Sequence, residues 1–217
     1  LINFVQENAR MPIIKNDRGM CHAYIDESAP PEMAVNLIVN AKTQRPGVCN
    51  SLETLLVHQA EAEALIPKIY TATQQWGVHW YCDDQTLKIL SQLFPENGAR
   101  FELADLKAWD TEYLDQKINC KVIRNMDEAL AHIEKHSSRH SEVIITQNLE
   151  RAERFLKEVD SAAVYWNAST RFTDGFEFGL GGEIGISTQK LHVRGPVGLQ
   201  ELTSARWIIR GQGQVRS

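Results

Sequence analysis

Lys117-Ile-Asn-Cys-Lys-Val-Ile123, Met126-Asp-Glu-Ala-Leu-Ala-His-Ile-Glu-Lys-His136, Glu142-Val-Ile-Ile-Thr146, Leu149-Glu-Arg-Ala-Glu-Arg-Phe-Leu-Lys-Glu-Val159 and Ala163-Val-Tyr-Trp-Asn167 follow one another with only short breaks. The first, third and fifth segments read as strands, and the second and fourth as helices. A strand followed by a helix and then another strand needs a crossover connection. Two such units in succession therefore imply parallel strands with helices laid over the faces of the sheet.

Working outward, the same alternation holds. Upstream, Glu61 to Gln75 reads as a helix and Val78-His-Trp-Tyr81 as a strand. Asp84 caps a helix through Leu93, ended by Pro95 and an Asn97-Gly98 turn. Pro31 to Thr43 reads as a helix begun by proline. Met11-Pro-Ile-Ile14 and Cys21-His-Ala-Tyr-Ile25 are short strand-type runs separated by the turn-forming Asn16-Asp-Arg-Gly19. Leu1 to Ala9 reads as an amphipathic helix with no cap before it. Downstream, Leu199 to Ala205 reads as a short helix and Arg206 to Arg216 as a polar-ended strand. The fold class is thus α/β: a mostly parallel sheet with helices on both faces, plus a C-terminal strand with nothing obvious to cover it.

The 217 residues are 43% hydrophobic, enough for a sizeable core. A net charge of −5 without any run of Lys and Arg argues against nucleic acid or an anionic membrane surface as the main partner. No apolar run approaches the length of a membrane span, and no signal peptide is visible. The four cysteines, Cys21, Cys49, Cys82 and Cys120, are scattered without a C-x-x-C, as suits reduced thiols in a cytoplasmic protein.

Among these thiols Cys49 stands out. In Arg45-Pro-Gly-Val-Cys-Asn-Ser-Leu-Glu-Thr-Leu-Leu-Val-His58, Pro46 and Gly47 break the preceding helix, while Val48, Leu52, Leu55 and Leu56 are spaced like a new helical stripe. Cys49 is then expected at or next to a helix N-cap, where free N–H groups favour a thiolate. On spacing alone, a cysteine beside Val and Leu is more often a small buried apolar residue. His58 lies nine residues further on, about 900° around that helix, so the two cannot form a dyad. His22 remains a candidate base, although a strand histidine is more often hydrogen-bonded in place.

Other motifs are weaker. His132 and His136 are spaced i, i+4, and His140 follows, but the arrangement lacks H-E-x-x-H. Glu134, Lys135 and Arg139 mark a solvated face, and no metal is expected. Gly179-Leu-Gly-Gly-Glu-Ile-Gly185 misses G-x-G-x-x-G because position 184 is Ile, and reads as a wall that lets backbone approach a substrate. Asn167 to Asp174 follows the C-terminal end of a strand, where parallel sheets place active-site loops. Arg171 there is suited to bidentate pairing with carboxylate or phosphate, or is an ordinary surface arginine.

Four segments in order carry a resemblance: Val48 to His58, Trp109-Asp-Thr-Glu-Tyr-Leu-Asp115, Asn167-Ala-Ser-Thr-Arg-Phe-Thr-Asp-Gly175 and Gly181-Gly-Glu-Ile-Gly-Ile-Ser-Thr-Gln-Lys-Leu-His-Val-Arg-Gly-Pro196. Together they resemble the γ-glutamyl phosphate reductases (glutamate-5-semialdehyde dehydrogenases) of the aldehyde dehydrogenase superfamily, over nearly the whole chain. The departures are changes of packing size: Ser51-Leu52 for the family's Ala-Met, and Gly182 and Val193 for Ala.

The resemblance implies an enzyme of proline biosynthesis that reduces L-glutamyl 5-phosphate with NADP as cofactor, acting on a small molecule and assembling as a homo-oligomer. It makes Cys49 the nucleophile, Glu112 the carboxylate that holds the nicotinamide ribose, and Ser169, Thr170, Arg171 and Phe172 the lining of the substrate mouth. It places the chain in the C-terminal half of such a protein. Residues 1–42 would end a dinucleotide-binding domain, 43–198 would form the catalytic domain, and 199–217 would be an oligomerisation segment. The stretch Lys15-Asn-Asp17 holds no glutamate where ordinary aldehyde dehydrogenases keep a water-activating one, as suits acyl exchange with phosphate. The alternative expectation is a non-catalytic piece that folds and associates but lacks the cofactor domain.

Overall fold

The computed structural model describes residues 1–15, 18–98 and 100–217. Seven strands form one wholly parallel sheet: β1 (Cys21–Ile25), β2 (Leu52–His58), β3 (His79–Cys82), β4 (Phe101–Leu103), β5 (Lys117–Ile123), β6 (Ser141–Ile145) and β7 (Ala163–Trp166). Their spatial order is β4-β3-β5-β2-β1-β6-β7. The helices are α1 (Ile2–Asn8), α2 (Pro31–Thr43), α3 (Gln59–Gln74), α4 (Asp84–Leu93), α5 (Met126–His136) and α6 (Leu149–Glu158). A short antiparallel pair, β8 (Ile186–Ser187) with β9 (Gly195–Pro196), lies apart from the sheet.

Strand alternation divides the apolar residues between two cores. Ala23, Ile25, Leu55, Val57 and Trp80 pack with α2, α3 and α4 residues, including Ile38, Leu65, Ile69 and Leu90. Tyr24, Leu56, Ile123 and Ile144 face the other way, onto Ile133 of α5 and Phe155 of α6. The helix starts are chemically defined. Asp83, Asn125 and Asn148 cap α4, α5 and α6 by accepting from Thr86 N, Glu128 N and Arg151 N, each worth about 1 kcal/mol. β1 and α2 lie in the same sheet and core as the elements from residue 43 onward.

Three expectations are corrected. The segment after Cys49 is not a helix: Leu52–His58 is β2, buried along its whole length between β1 and β5. A strand covered on both faces carries apolar residues without alternation, and such a run mimics one turn of helix. Cys49 is therefore not at a helix N-terminus. Met11 to Ile14 forms no strand. In the tail, residues 199–203 form turns and Arg206 to Arg216 forms no strand. The tail strand is expected to pair with a second copy of the chain, and in a single copy it has no neighbour to take up its N–H and C=O groups. The Asn16-Asp17 part of the expected turn, and the water-activating position at Asp17, lie outside the described residues.

Candidate active site

Because all seven strands run the same way, their N-terminal ends share one edge. There the residues entering β1, β2, β5 and β6 converge. Cys49 sits in the turn before β2, closed by Ser51 N donating to Val48 O at 3.0 Å. Gly19, entering β1, lies directly on it: a Cβ built on Gly19 would fall 1.8 Å from the Cys49 carbonyl oxygen. Glu112, before β5, accepts from Gly19 N–H at 2.7 Å through Oε1. The buried Cys21 thiol donates to the Cys49 carbonyl at 3.3 Å.

The loop after β7 returns to this same edge. The sequence expectation of a site at the C-terminal edge is thus corrected: the strand ends there, but its loop doubles back. Asn50, 4% exposed, secures it, donating through Nδ2 to Thr173 O at 2.8 Å and Arg171 O at 3.4 Å, while Thr170 Oγ1 donates to Asn50 O at 2.8 Å. Thr173 Oγ1 also meets Ser141 Oγ at 2.6 Å and Tyr165 Oη at 2.7 Å. Of the four residues assigned to a substrate mouth, Ser169 and Thr170 are buried. The Ser169 hydroxyl accepts from Arg171 N, and Thr170 holds Asn50. Arg171 and Phe172 instead line an open cavity of about 210 Å3 with Asn40, Gln44, Asp174 and Glu177.

The electrostatics around Cys49 differ from those of a helix N-cap. Burial pushes its pKa up, and the nearby Glu112 and Glu183 carboxylates push the same way. Its own backbone N–H and the Arg171 guanidinium work in the opposite direction. Glu183, not anticipated from sequence, is itself raised by burial and by Asp174, against the pull of the Gly175 backbone N–H, and its Oε2 is buried. Glu183 sits against Gly175, where an added Cβ would meet Gly181 O at 2.6 Å. The Glu112 and Glu183 carboxylates thus hold the proton on the Cys49 sulfur, and His58 lies at the far end of β2, where it caps α3.

Behind the site, the fully buried Lys42 and Glu53 pair at 3.2 Å, and Glu53 Oε1 also accepts from Leu114 N at 3.4 Å. Burial dominates the Glu53 carboxyl and raises it to about 7, against the pull of Lys42. This pair ties β2 to the loop that carries Glu112, in which Leu114 has a φ of 51°. A charged residue inside the run Leu52-Glu-Thr-Leu-Leu-Val57 was the sequence signal for a buried partner.

His132 and His136 do not lie on a solvated face. They are on the inward side of α5 with Ala129 and Ile133, and His132 packs against His22 and Trp109. His22 is held by Glu142 at 3.2 Å and by Met20 O at 3.1 Å. No group of three or more His, Cys, Asp or Glu among the described residues is arranged to hold a metal ion. Among the described residues no helix is long and apolar enough to cross a membrane.

No protein-family model matches the chain. It is 52% identical over 212 residues to the γ-glutamyl phosphate reductase of Francisella philomiragia, an alignment covering 98% of this chain and 49% of that protein. The crystal structure of γ-glutamyl phosphate reductase from Thermotoga maritima superposes with a TM-score of 0.89 at 47% identity, over 100% of this chain and 50% of that one. A probable aldehyde dehydrogenase from Listeria monocytogenes, 16% identical, shares the fold at a TM-score of 0.69, over 96% of this chain and 54% of that one. The chain spans about half the length of the curated relatives it matches.

Proposed function

The chain belongs to the γ-glutamyl phosphate reductase family, of whose members it spans about half, and from that premise we propose that the protein reduces L-glutamyl 5-phosphate to L-glutamate 5-semialdehyde through Cys49. The observation that carries this reading is the single edge at which Cys49, Glu112 and the Arg171 loop meet, the loop held by Asn50 and Glu112 by Gly19 N–H.

In this reading the Cys49 sulfur attacks the acyl carbon, and its proton passes to the departing phosphate. Phosphate leaves with the electron pair of the acyl–oxygen bond, and a thioester remains on Cys49. The Cys49 backbone N–H supplies one donor to the oxygen that becomes negative during attack. Glu112 fits a ribose diol: one carboxylate oxygen is held by Gly19 N–H, and Oε2 has no partner among the described residues. NADPH, when bound, supplies the hydride that reduces the thioester. The resulting thiohemiacetal releases the aldehyde and returns the sulfur as thiolate. We read the domain built on the seven-stranded sheet, with β1 and α2 included, as catalytic, the protein as cytoplasmic and oligomeric, and the reaction as a step towards proline.

The test is oxidation of NADPH with γ-glutamyl phosphate, or its reverse with glutamate 5-semialdehyde, phosphate and NADP, in the full-length protein and in its Cys49→Ser variant. Turnover lost in Cys49→Ser with NADPH binding kept is the expected result. Substantial turnover in that variant would remove Cys49 from the chemistry. The span of half the relatives' length favours a second reading for the chain taken alone, that it folds without turning over. The same assay on residues 1–217 separates the two.

A further inference from the structure

We propose that the cavity between Arg171 and Asp174 receives the α-carboxylate and α-ammonium of a zwitterionic amino-acid substrate, and so sets the protein's choice of acyl compound. This deepens the reaction proposed above and rests on it for the identity of the reacting end.

The cavity holds opposite charges that make no direct ion pair among the described residues, although the Asp174 charge is near enough to pull the Arg171 pKa up. Arg171 is half-buried, and its Nε is fixed by Gln44 Oε1 at 2.8 Å. Its other guanidinium nitrogens make no hydrogen bond, and no carboxylate forms an ion pair with it, among the described residues. A half-buried cation without a partner is costly unless an anion completes it. Burial pushes the Arg171 pKa down, as does neighbouring Arg45. Across the cavity, Asp174 uses Oδ1 to accept from Phe176 N at 2.9 Å and Glu177 N at 3.3 Å, which leaves Oδ2 open. Glu177 is exposed and makes no ion pair among the described residues.

An anion alone would meet Asp174 and Glu177, and a cation alone would meet Arg171. A head group carrying both charges satisfies each side. Phe172, 49% exposed, offers an apolar wall for the methylenes. The loop that carries Arg171 is pinned beside the nucleophile: Asn50, next to Cys49, donates to the Arg171 carbonyl, and the guanidinium charge is felt at the Cys49 sulfur. The proposal thus requires an amino acid seated by its α-groups to extend its side-chain acyl group along this loop to Cys49.

The experiment is calorimetric binding to the full-length protein of L-glutamate, glutarate, which lacks the ammonium, 4-aminobutyrate, which lacks the α-carboxylate, and inorganic phosphate. Wild type should bind L-glutamate tighter than either truncated ligand by about tenfold or more. Arg171→Gln should bring L-glutamate down to the level of 4-aminobutyrate. Asp174→Asn, which keeps the Oδ1 acceptor, should bring it down to the level of glutarate; Glu177→Gln reads the same preference should that variant not fold. Equal binding of the three organic ligands by wild type overturns the proposal. So does an Arg171→Gln variant that loses phosphate binding while keeping its preference for L-glutamate, since the cavity would then belong to the phosphate. Turnover without this discrimination refutes the head-group site alone, and discrimination without turnover refutes the reaction alone.

Discussion

Replacing His132 by Phe should make the protein less sensitive to acid by about 2 kcal/mol between pH 7.5 and pH 5. His132 is 7% exposed, with its ring centroid 5.4 Å from Trp109, 5.6 Å from His22 and 4.6 Å from His136. Burial first, then the charges of His22, His136, Lys121 and Lys135, lower its pKa from the ordinary 6.5 to about 2. The unfolded chain takes up a proton below pH 6.5 and the folded chain does not. Stability is therefore complete above pH 6.5 and falls with pH towards the folded pKa. From pH 7.5 to 5 the loss spans about 1.5 pH units at about 1.4 kcal/mol each, or about 2 kcal/mol. Phenylalanine keeps the ring contacts, cannot titrate, and removes an Nε2 that is buried without a partner. Urea unfolding followed by circular dichroism at the two pH values measures the difference. If His132→Phe lost as much stability as wild type over this range, the buried neutral imidazole would not be the source of the acid sensitivity.

Cys49, the half-buried thiol, should react with iodoacetamide well before the buried Cys21, Cys82 and Cys120. Its rate at pH 8 should rise in Glu112→Gln and Glu183→Gln, since each variant removes a charge that holds the thiol protonated. Peptide mass spectrometry over time checks both, and a slower reaction in the Gln variants would contradict the electrostatic assignment. Gly19→Ala should destabilise the protein by about 3 kcal/mol or more, because the new methyl would enter the Cys49 carbonyl; an unchanged melting temperature would refute that contact. Lys42→Met should cost about 3 kcal/mol by stranding the Glu53 carboxylate, and Lys42→Met with Glu53→Gln should recover part of that loss. A double variant no better than Lys42→Met in urea unfolding would rule out the buried charge as the cause.

The succession of strands and helices from Lys117 to Trp166 was written in the sequence, because crossover units depend on local periodicity and short polar breaks. The candidate residues Cys49, Glu112 and Arg171 were legible too, through motifs rather than through geometry. What periodicity could not decide was the segment after Cys49: with neighbours on both sides, Leu52 to His58 lost the alternation that identifies a strand, and only the pairing with β1 and β5 settled it. Tertiary structure alone decided the edge of the sheet at which the candidate site lies, since the loop after β7 is turned back by Asn50 and Ser141, both distant in sequence, as well as by nearby Tyr165. It decided the charge environment of Cys49 as well. A helix dipole would have been a local property of the chain. Burial beside Glu112 and Glu183, by contrast, depends on three segments brought together, and no reading of one segment contains the field of the other two.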